Sequence, residues 1–311
     1  MFLTVTPDPV LDNIYFIEEW LPNSVMYTTK VVFSIGGKGL DASVALSHLN
    51  QHSTALCFLA GETGTRLSNL IQNYAIKLTP IWVKGETRNA IIISESVNQR
   101  HSHIFHGGIT IQTHHLKNFL SRFHEELLNS NWVLTGGIFP NSLPNDFFRR
   151  LIHSSQQAGV NILIDSHSKY IMPALSEELE ILKMNRREFE WTFGLIADSM
   201  DILIQQAKRI MHQYLFHNLV ITCGSDGILA ITPQAIIQSI PPKLDVVNAA
   251  GAGDAASAAL AWRLNHGDDW QDAVRWATAV SAAVVLTEGT AEFSYSIATD
   301  LLPEVTIQRI K

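Results

Sequence analysis

The stretch NWVLTGGIFPNSLPNDFFRRLIHSSQQAGVNILIDS, residues 131–166, sets the fold class. Its apolar run at 131–135 ends in two glycines and reads as a strand. A helical pattern over 144–157 follows, and VNILIDS (160–166) reads as a second buried strand. A helix joining two such strands is a crossover, and crossovers make parallel sheets. Outward from this unit the same alternation continues. A helix at 113–128 precedes it. EILKMN (180–185) is strand-like, with helices near 186–192 and 198–214 after it. NLVITCG (218–224) is another strand, GILAIT (227–232) and AIIQSI (235–240) form an edge of short strands, and helices at 253–266 and 269–287 are expected to close the chain. In the first part, FLTVT (2–6) and STALCFLA (53–60) are strands, with helices at 37–50 and 64–74. Repeated β–α units of this kind predict an α/β fold, a three-layer α/β/α arrangement around a mostly parallel central sheet.

Five extended runs fall outside that alternation: 10–17, 27–33, 78–84, 89–95 and 100–106. They are expected to form a small separate β-sheet, a lid over one end of a single α/β domain spanning 1–311. No repeat or low-complexity linker divides the chain.

Of 311 residues, 46% are hydrophobic and 16% charged, which supplies a large core and excludes a disordered chain. The formal charge of −7 leaves no general footprint for nucleic acid. Apolar stretches are broken before they reach membrane-span length, and MFLTVTPDPVLD lacks the basic flank of a signal peptide. A soluble, cytoplasmic protein without membrane or nucleic-acid partners is the expectation. The two cysteines, Cys57 and Cys223, sit in apolar runs and read as reduced core thiols. Among thirteen histidines, His101, His103 and His106 cluster on one predicted strand. Alternation puts His106 opposite the other two, and no zinc spacing accompanies them, so they read as lid-packing or solvated groups.

Three motifs carry possible chemistry. In VVNAAGAGDAASAALAWRL (246–264), small residues run into Gly251-Ala252-Gly253-Asp254 and then an Ala-rich helix. Backbone N–H groups at such a start can hold an anion, and Asp254 could accept a hydroxyl proton. An N-capping Asp after a turn explains the same letters equally well. In Ser34-Ile35-Gly36-Gly37-Lys38-Gly39-Leu40-Asp41, three glycines and a lysine open a helix. It is either a flexible turn or a bed for a polar ligand, with Asp41 binding hydroxyls. It has neither P-loop nor dinucleotide spacing. In Lys183-Met184-Asn185-Arg186-Arg187-Glu188, Asn185 and Glu188 share a side of a helix start. That suits Mg²⁺ or an ordinary capping box.

Taken in order, these motifs resemble the PfkB (ribokinase-like) carbohydrate kinase family, nearest its 1-phosphofructokinase and tagatose-6-phosphate kinase branch. Thr6-Pro7-Asp8-Pro9-Val10-Leu11-Asp12 is similar to the family's T-x-N-P-x-x-D, and GGKGLD (36–41) to G-G-K-G-x-N. Thr87-Arg88, TGGIFPNSLP (135–144), ILIDSHSKYI (162–171), KMNRRE (183–188), TCGSDGIL (222–229), NAAGAGD (248–254) and LTEGT (286–290) follow in sequence.

The resemblance implies a ribokinase-like fold and transfer of the γ-phosphoryl group of ATP to a sugar or sugar-phosphate hydroxyl. By position, Asp254 would be the base. The N–H groups of Ala252, Gly253 and Asp254, after Gly251, would form the anion hole. Asn185 and Glu188 would hold Mg²⁺ through water. Thr222, Gly224 and Gly227 would line the nucleotide, while Asp12, Gly36, Gly37, Lys38, Asp41 and Arg88 would face the acceptor. The family also implies a homodimer through the lid. Departures concentrate at the acceptor end: Asp41 replaces the family's Asn, the stretch Leu21–Tyr27 carries no Lys or Arg, and the expected T-E-I-N is Ser102-His103-Ile104-Phe105. Losing one Lys–phosphate pair costs on the order of 1.5–3 kcal/mol of binding, enough to move preference away from phosphorylated acceptors. A catalytically silent protein that binds a metabolite or partner, and a nucleoside kinase, are the alternatives.

Overall fold

A computed structural model describes residues 1–28, 30–98 and 100–310, with the side chain of His101 left out of the description. The chain runs β1 (Phe2–Thr6), β2 (Val10–Ile17), β3 (Lys30–Gly36), α1 (Lys38–His48), β4 (Ser53–Leu59), α2 (Gly61–Ile71), β5 (Ile76–Trp82), β6 (Lys84–Glu95), β7 (Arg100–Thr110) and α3 (Thr113–Leu127). It continues through β8 (Trp132–Gly136), α4 (Phe147–Ala158), β9 (Asn161–Asp165), α5 (Ser168–Ile171), β10 (Leu179–Asn185), α6 (Arg186–Phe193), α7 (Met200–Gln213) and β11 (Phe216–Thr222). Strands β12 (Ile228–Ile231) and β13 (Ile236–Ile240), helices α8 (Ala252–Asn265), α9 (Trp270–Val284) and α10 (Tyr295–Leu301), and β14 (Thr306–Ile310) complete it.

Ten strands form one sheet in the order β14-β13-β12-β11-β10-β9-β8-β1-β4-β5. From β11 to β5 every pairing is parallel, and the last three strands at the other edge are antiparallel. Alternation along the strands feeds two cores. Leu3, Val5, Val133, Ile162 and Ile164 pack with Phe119 and Phe123 of α3 and Phe147, Phe148 and Leu151 of α4. Phe2, Leu134, Leu163 and Val220 face the opposite way, onto the alanine-rich α8 and α9. Alanines on α8 let it approach the sheet and α9 closely, so it is buried along most of its length.

The second sheet has four strands, β3-β2-β6-β7. Three sequence expectations change here. Most of the run at 78–84 lies in the large sheet: β5, ending at Trp82, pairs in parallel with β4, Ala55 opposite Leu78, and only Lys84 belongs to the small sheet. Strand β5 completes a β4–α2–β5 crossover, and Pro80, which has no N–H to donate, is tolerated because β5 is the outermost strand. The strand expected at 27–33 is found as Lys30–Gly36, with Thr29 outside the described residues. The chain does not close on α9, since α10 follows and β14 adds antiparallel to β13, Gln238 opposite Gln308.

Candidate active site

The carboxyl ends of the parallel strands meet the N-termini of α1, α6 and α8, the usual place for a ligand in an open α/β sheet. Asp165 closes β9 and Lys183 lies next to it on β10, with Lys183 opposite Asp165 in register. Lys183 Nζ donates to Asp165 Oδ2 at 2.5 Å. From across the cleft, Lys38 Nζ donates to Asp165 Oδ1 at 2.5 Å and lies 3.3 Å from Glu188 Oε1. Burial alone would raise the Asp165 carboxyl, but the two ammonium groups outweigh it and hold it below the ordinary carboxylate range. Burial would likewise lower Lys38, and Asp165, Asp254 and Glu188 outweigh it, keeping the amine protonated.

Asn185 and Glu188 form a capping box on α6. Asn185 Oδ1 accepts from Glu188 N–H, and Glu188 Oε2 accepts from Asn185 N–H, both at 2.9 Å. Glu188 keeps its other oxygen toward Lys38. The cap and a metal-facing role are therefore compatible at the same residues. Thr222 is the register neighbour of Asn185 at the end of β11. Gly224 and Gly227 follow in the turn. At Gly227, φ is 85° and a Cβ would sit 1.8 Å from Ser239 O, so this glycine is needed for the chain to pass β13.

Before α8, Asn248 ties the loop together. Its Nδ2 donates to Glu288 O at 2.9 Å and its Oδ1 accepts from Ala250 N–H at 3.0 Å. Gly251 has φ 76°, and a Cβ there would lie 2.4 Å from Ala291 N. Ala252 N–H donates to Ala249 O at 3.3 Å. The next two N–H groups, of Gly253 and Asp254, have no acceptor within the described residues. They are the orphan donors of a helix start, where the dipole favours negative charge. Asp254 stands in this first turn. Burial and then Asp165 push its carboxyl up to about 7, with Lys38 and Lys183 opposing.

The small sheet supplies the other wall. Asp12 on β2 accepts from Thr290 Oγ1 at 3.3 Å, while Thr290 N–H donates to Ser34 Oγ at 2.9 Å. Gly36 and Gly37 leave room beside these groups, since a Cβ on Gly36 would fall 2.7 Å from Asp12 Oδ2. Asp41 accepts from Gly37 N–H through Oδ2 at 3.0 Å, and its Oδ1 is buried without a partner. Arg88 reaches back to Asp8: its Nε lies 2.9 Å from Asp8 Oδ2, and an outer nitrogen donates to Asp8 O at 2.7 Å. The guanidinium also stacks over Phe105, 5.5 Å from the ring centre. Burial pushes the Asp12 carboxyl up to about 6. Asp41 is raised well above the usual value by burial and by Asp254 and Asp12 facing it.

The structure thus gathers Asp12, Gly36, Gly37, Asp41 and Arg88 on one side and Asn185, Glu188 and Thr222 on the other, with Asp254 between. Lys38, expected to face the acceptor, is ion-paired with Asp165 and Glu188. Sequence reasoning gave no role to Asp165, Lys183, Asp8 or Thr290. All four stand inside quoted motifs, but only their partners far along the chain reveal them. His103 lies stacked near Phe105, 6.2 Å between centres. Among the described residues no three His, Cys, Asp or Glu side chains are arranged to hold a metal, and no helix is long and apolar enough to cross a membrane.

Fold and site together define an α/β kinase of carbohydrates: the chain belongs to the pfkB family of carbohydrate kinases, whose profile it matches over residues 8–297. Its relatives make the match more particular. It is 27% identical to the 1-phosphofructokinase of Bacillus subtilis over the whole of both chains, and 26% identical to the tagatose-6-phosphate kinase of Staphylococcus epidermidis over 86% of each. Phosphofructokinase-2 from Escherichia coli superposes with a TM-score of 0.88 at 22% identity, covering 97% of this chain and 98% of that one. A possible 1-phosphofructokinase from Thermotoga maritima gives 0.90 at 22% identity, covering 100% and 99%. The ribokinase of Arabidopsis thaliana gives 0.77 at 18%, covering 97% and 98%, which extends the likeness to the ribokinase-like fold as a whole.

Proposed function

We propose that the chain transfers the γ-phosphoryl group of ATP to a hydroxyl of a sugar or sugar phosphate. Asp254 takes the hydroxyl proton as the oxygen attacks phosphorus and the bond to ADP breaks. The N–H groups following Gly251, those of Ala252, Gly253 and Asp254, receive the moving phosphoryl. For Ala252 this requires release of its long bond to Ala249. Phosphoryl transfer depends on position and charge more than on covalent chemistry, so these donors and the ammonium groups of Lys38 and Lys183 are the working parts. A single observation carries the reading: a half-buried carboxyl group stands in the first turn of α8 beside two unpaired N–H donors, facing buried Lys183 and half-buried Lys38.

Mg²⁺ fits the hard oxygen donors at Asn185 and Glu188, through water, where it would neutralise phosphate charge. Thr222, Gly224 and Gly227 border the nucleotide. The four-stranded sheet serves as the lid of a single unit, residues 1–311, and bears Asp12 and Arg88. Cytoplasmic residence goes with an ATP-dependent sugar kinase. The lid also supports a homodimer, since Phe33, Ile91 and Ile104 lie exposed in one row across it.

The relatives named above include phosphofructokinases and a tagatose-6-phosphate kinase. In this chain, however, Arg88 is already engaged by Asp8, which favours an acceptor without phosphate. ADP release with Mg-ATP over a panel of sugars, sugar phosphates and nucleosides tests the proposal. Acceptor-dependent turnover is expected, falling about 10²–10⁴-fold in Asp254→Asn. Turnover unchanged in that variant would remove Asp254 as base. None with any acceptor, from a folded chain that binds ATP, would favour a binding protein.

A further inference from the structure

The acceptor end gathers carboxyl groups that burial keeps from ionising freely and that a cation would let ionise. Asp8, Asp12, Asp41 and Asp254 border it, and all four carboxyls are raised, in each case chiefly by burial. Among the described residues Arg88, Lys38 and Lys183 stand nearby, and all are committed, Lys183 to Asp165. Arg88 is held by Asp8, and Lys38 by Asp165 and Glu188. Asp12 has one long hydrogen bond, from Thr290. Asp41 is only 5% exposed, and its Oδ1 has no donor at all although Asp12 and Asp254 both face it. A buried carboxylate oxygen without a partner is costly, and like charges beside it add to the cost.

A ligand that brings both donors and positive charge relieves this arrangement. We propose that the acceptor carries an ammonium group, as an amino sugar or amino polyol does, seated against Asp41 and Asp12. The proposal rests on the kinase reading and narrows its substrate class. A hydroxyl offers one donor and no charge, whereas an ammonium offers three donors and a full charge. A phosphate placed there would meet like charges. A metal ion does not answer, because among the described residues these carboxylates do not converge on a common coordination point. Asp254 remains free for the chemistry. The acceptor hydroxyl oxygen bonds to the γ-phosphorus, the bond to ADP breaks, the hydroxyl proton goes to Asp254, and the ammonium keeps its protons throughout.

Calorimetry near neutral pH tests this with matched pairs: glucosamine and glucose, galactosamine and galactose, mannosamine and mannose, 1-amino-1-deoxyfructose and fructose. At least one amine should bind about tenfold or more tighter than its alcohol, since a hydrogen bond to a charged group is worth about that much. Its N-acetyl form should lose the advantage. In Asp41→Asn, which keeps an oxygen for the Gly37 N–H, the ratio of amine to alcohol affinity should shrink to about threefold or less, whatever the variant does to sugar binding as a whole. Amines that bind no better than alcohols in every pair, or not at all, would overturn the proposal, as would a gap that survives in Asp41→Asn. ADP release with the best-binding amine separates the two readings. Tight binding without turnover would end the kinase assignment and leave the ammonium site standing.

Discussion

Asp254 and Asp165 both face lysines, yet their surroundings set them apart. Asp165 touches two ammonium groups and stays ionised, whereas Asp254 touches neither and is pushed up to about 7. That separation is what the proposed function uses, with Asp165 as a fixed charge and Asp254 as the base. A base works only when deprotonated. The value of kcat/KM should therefore rise with pH through about 7 and level off above it. Lys183 lowers the Asp254 value, so Lys183→Met should move this rise to higher pH. The same change breaks a buried pair and should cost about 3–5 kcal/mol in urea unfolding, measured alongside the rate profile. A rise that stays in place would detach Lys183 from the base. Asp254, Asn185 and Glu188 could be read from the chain because each lies in a compact run. Asp8 and Asp165 could not, because their partners Arg88 and Lys38 stand 80 and 127 residues away.

At the scale of elements, the start of α8 depends on Gly251. Gly251→Ala must accept both a left-handed backbone and a Cβ 2.4 Å from Ala291 N, so the 287–293 loop or the helix start has to move. Gly159, which ends α4 at φ 68°, is a control: a Cβ there meets nothing within 4 Å. Both alanine variants should lose about 1–2 kcal/mol from the backbone alone. Only Gly251→Ala should also lose activity, about a hundredfold or more in kcat, because the orphan N–H donors turn with the helix. Equal activity losses would show that α8 placement does not matter. Period-2 and period-3.6 patterns reveal the β–α units directly, because each buried strand and amphipathic helix writes its own face into the sequence. They do not say which sheet a strand joins. The run at 78–84, with Pro80 inside it, reads as a lid strand, but its residues up to Trp82 belong to the outer strand of the large sheet. Strand β14 was missed because TIQRI is polar and pairs on one side only.

For the whole molecule, the small sheet is the part whose surroundings are incomplete in a single chain. One of its faces carries Asp12 and Arg88 toward the site, with Val10, Ile14, Ala90 and Ile92 packed around them. On the other face, Leu11 and Ile35 at the root are covered by Leu67 and Ile71 of α2. Farther out, Phe33, Asn13, Ile91 and Ile104 stand opposite one another across all four strands, and the three apolar members are 49%, 41% and 53% exposed. An exposed row of this kind, apolar except at Asn13, is unfavourable in water and suits an interface between two copies. Sedimentation should show a dimer at micromolar concentration. Ile91→Glu with Ile104→Glu places a charge from each chain into that seam and should yield a folded monomer. Under the proposed function, in which the lid carries the acceptor residues and the large sheet the nucleotide side, the monomer should lose acceptor affinity about tenfold or more while its KM for ATP changes little. A parent chain that sediments as a monomer, or a double variant that remains dimeric, would place the association surface elsewhere. A monomer with unchanged acceptor KM would leave the dimer in place but show that it does not support the lid.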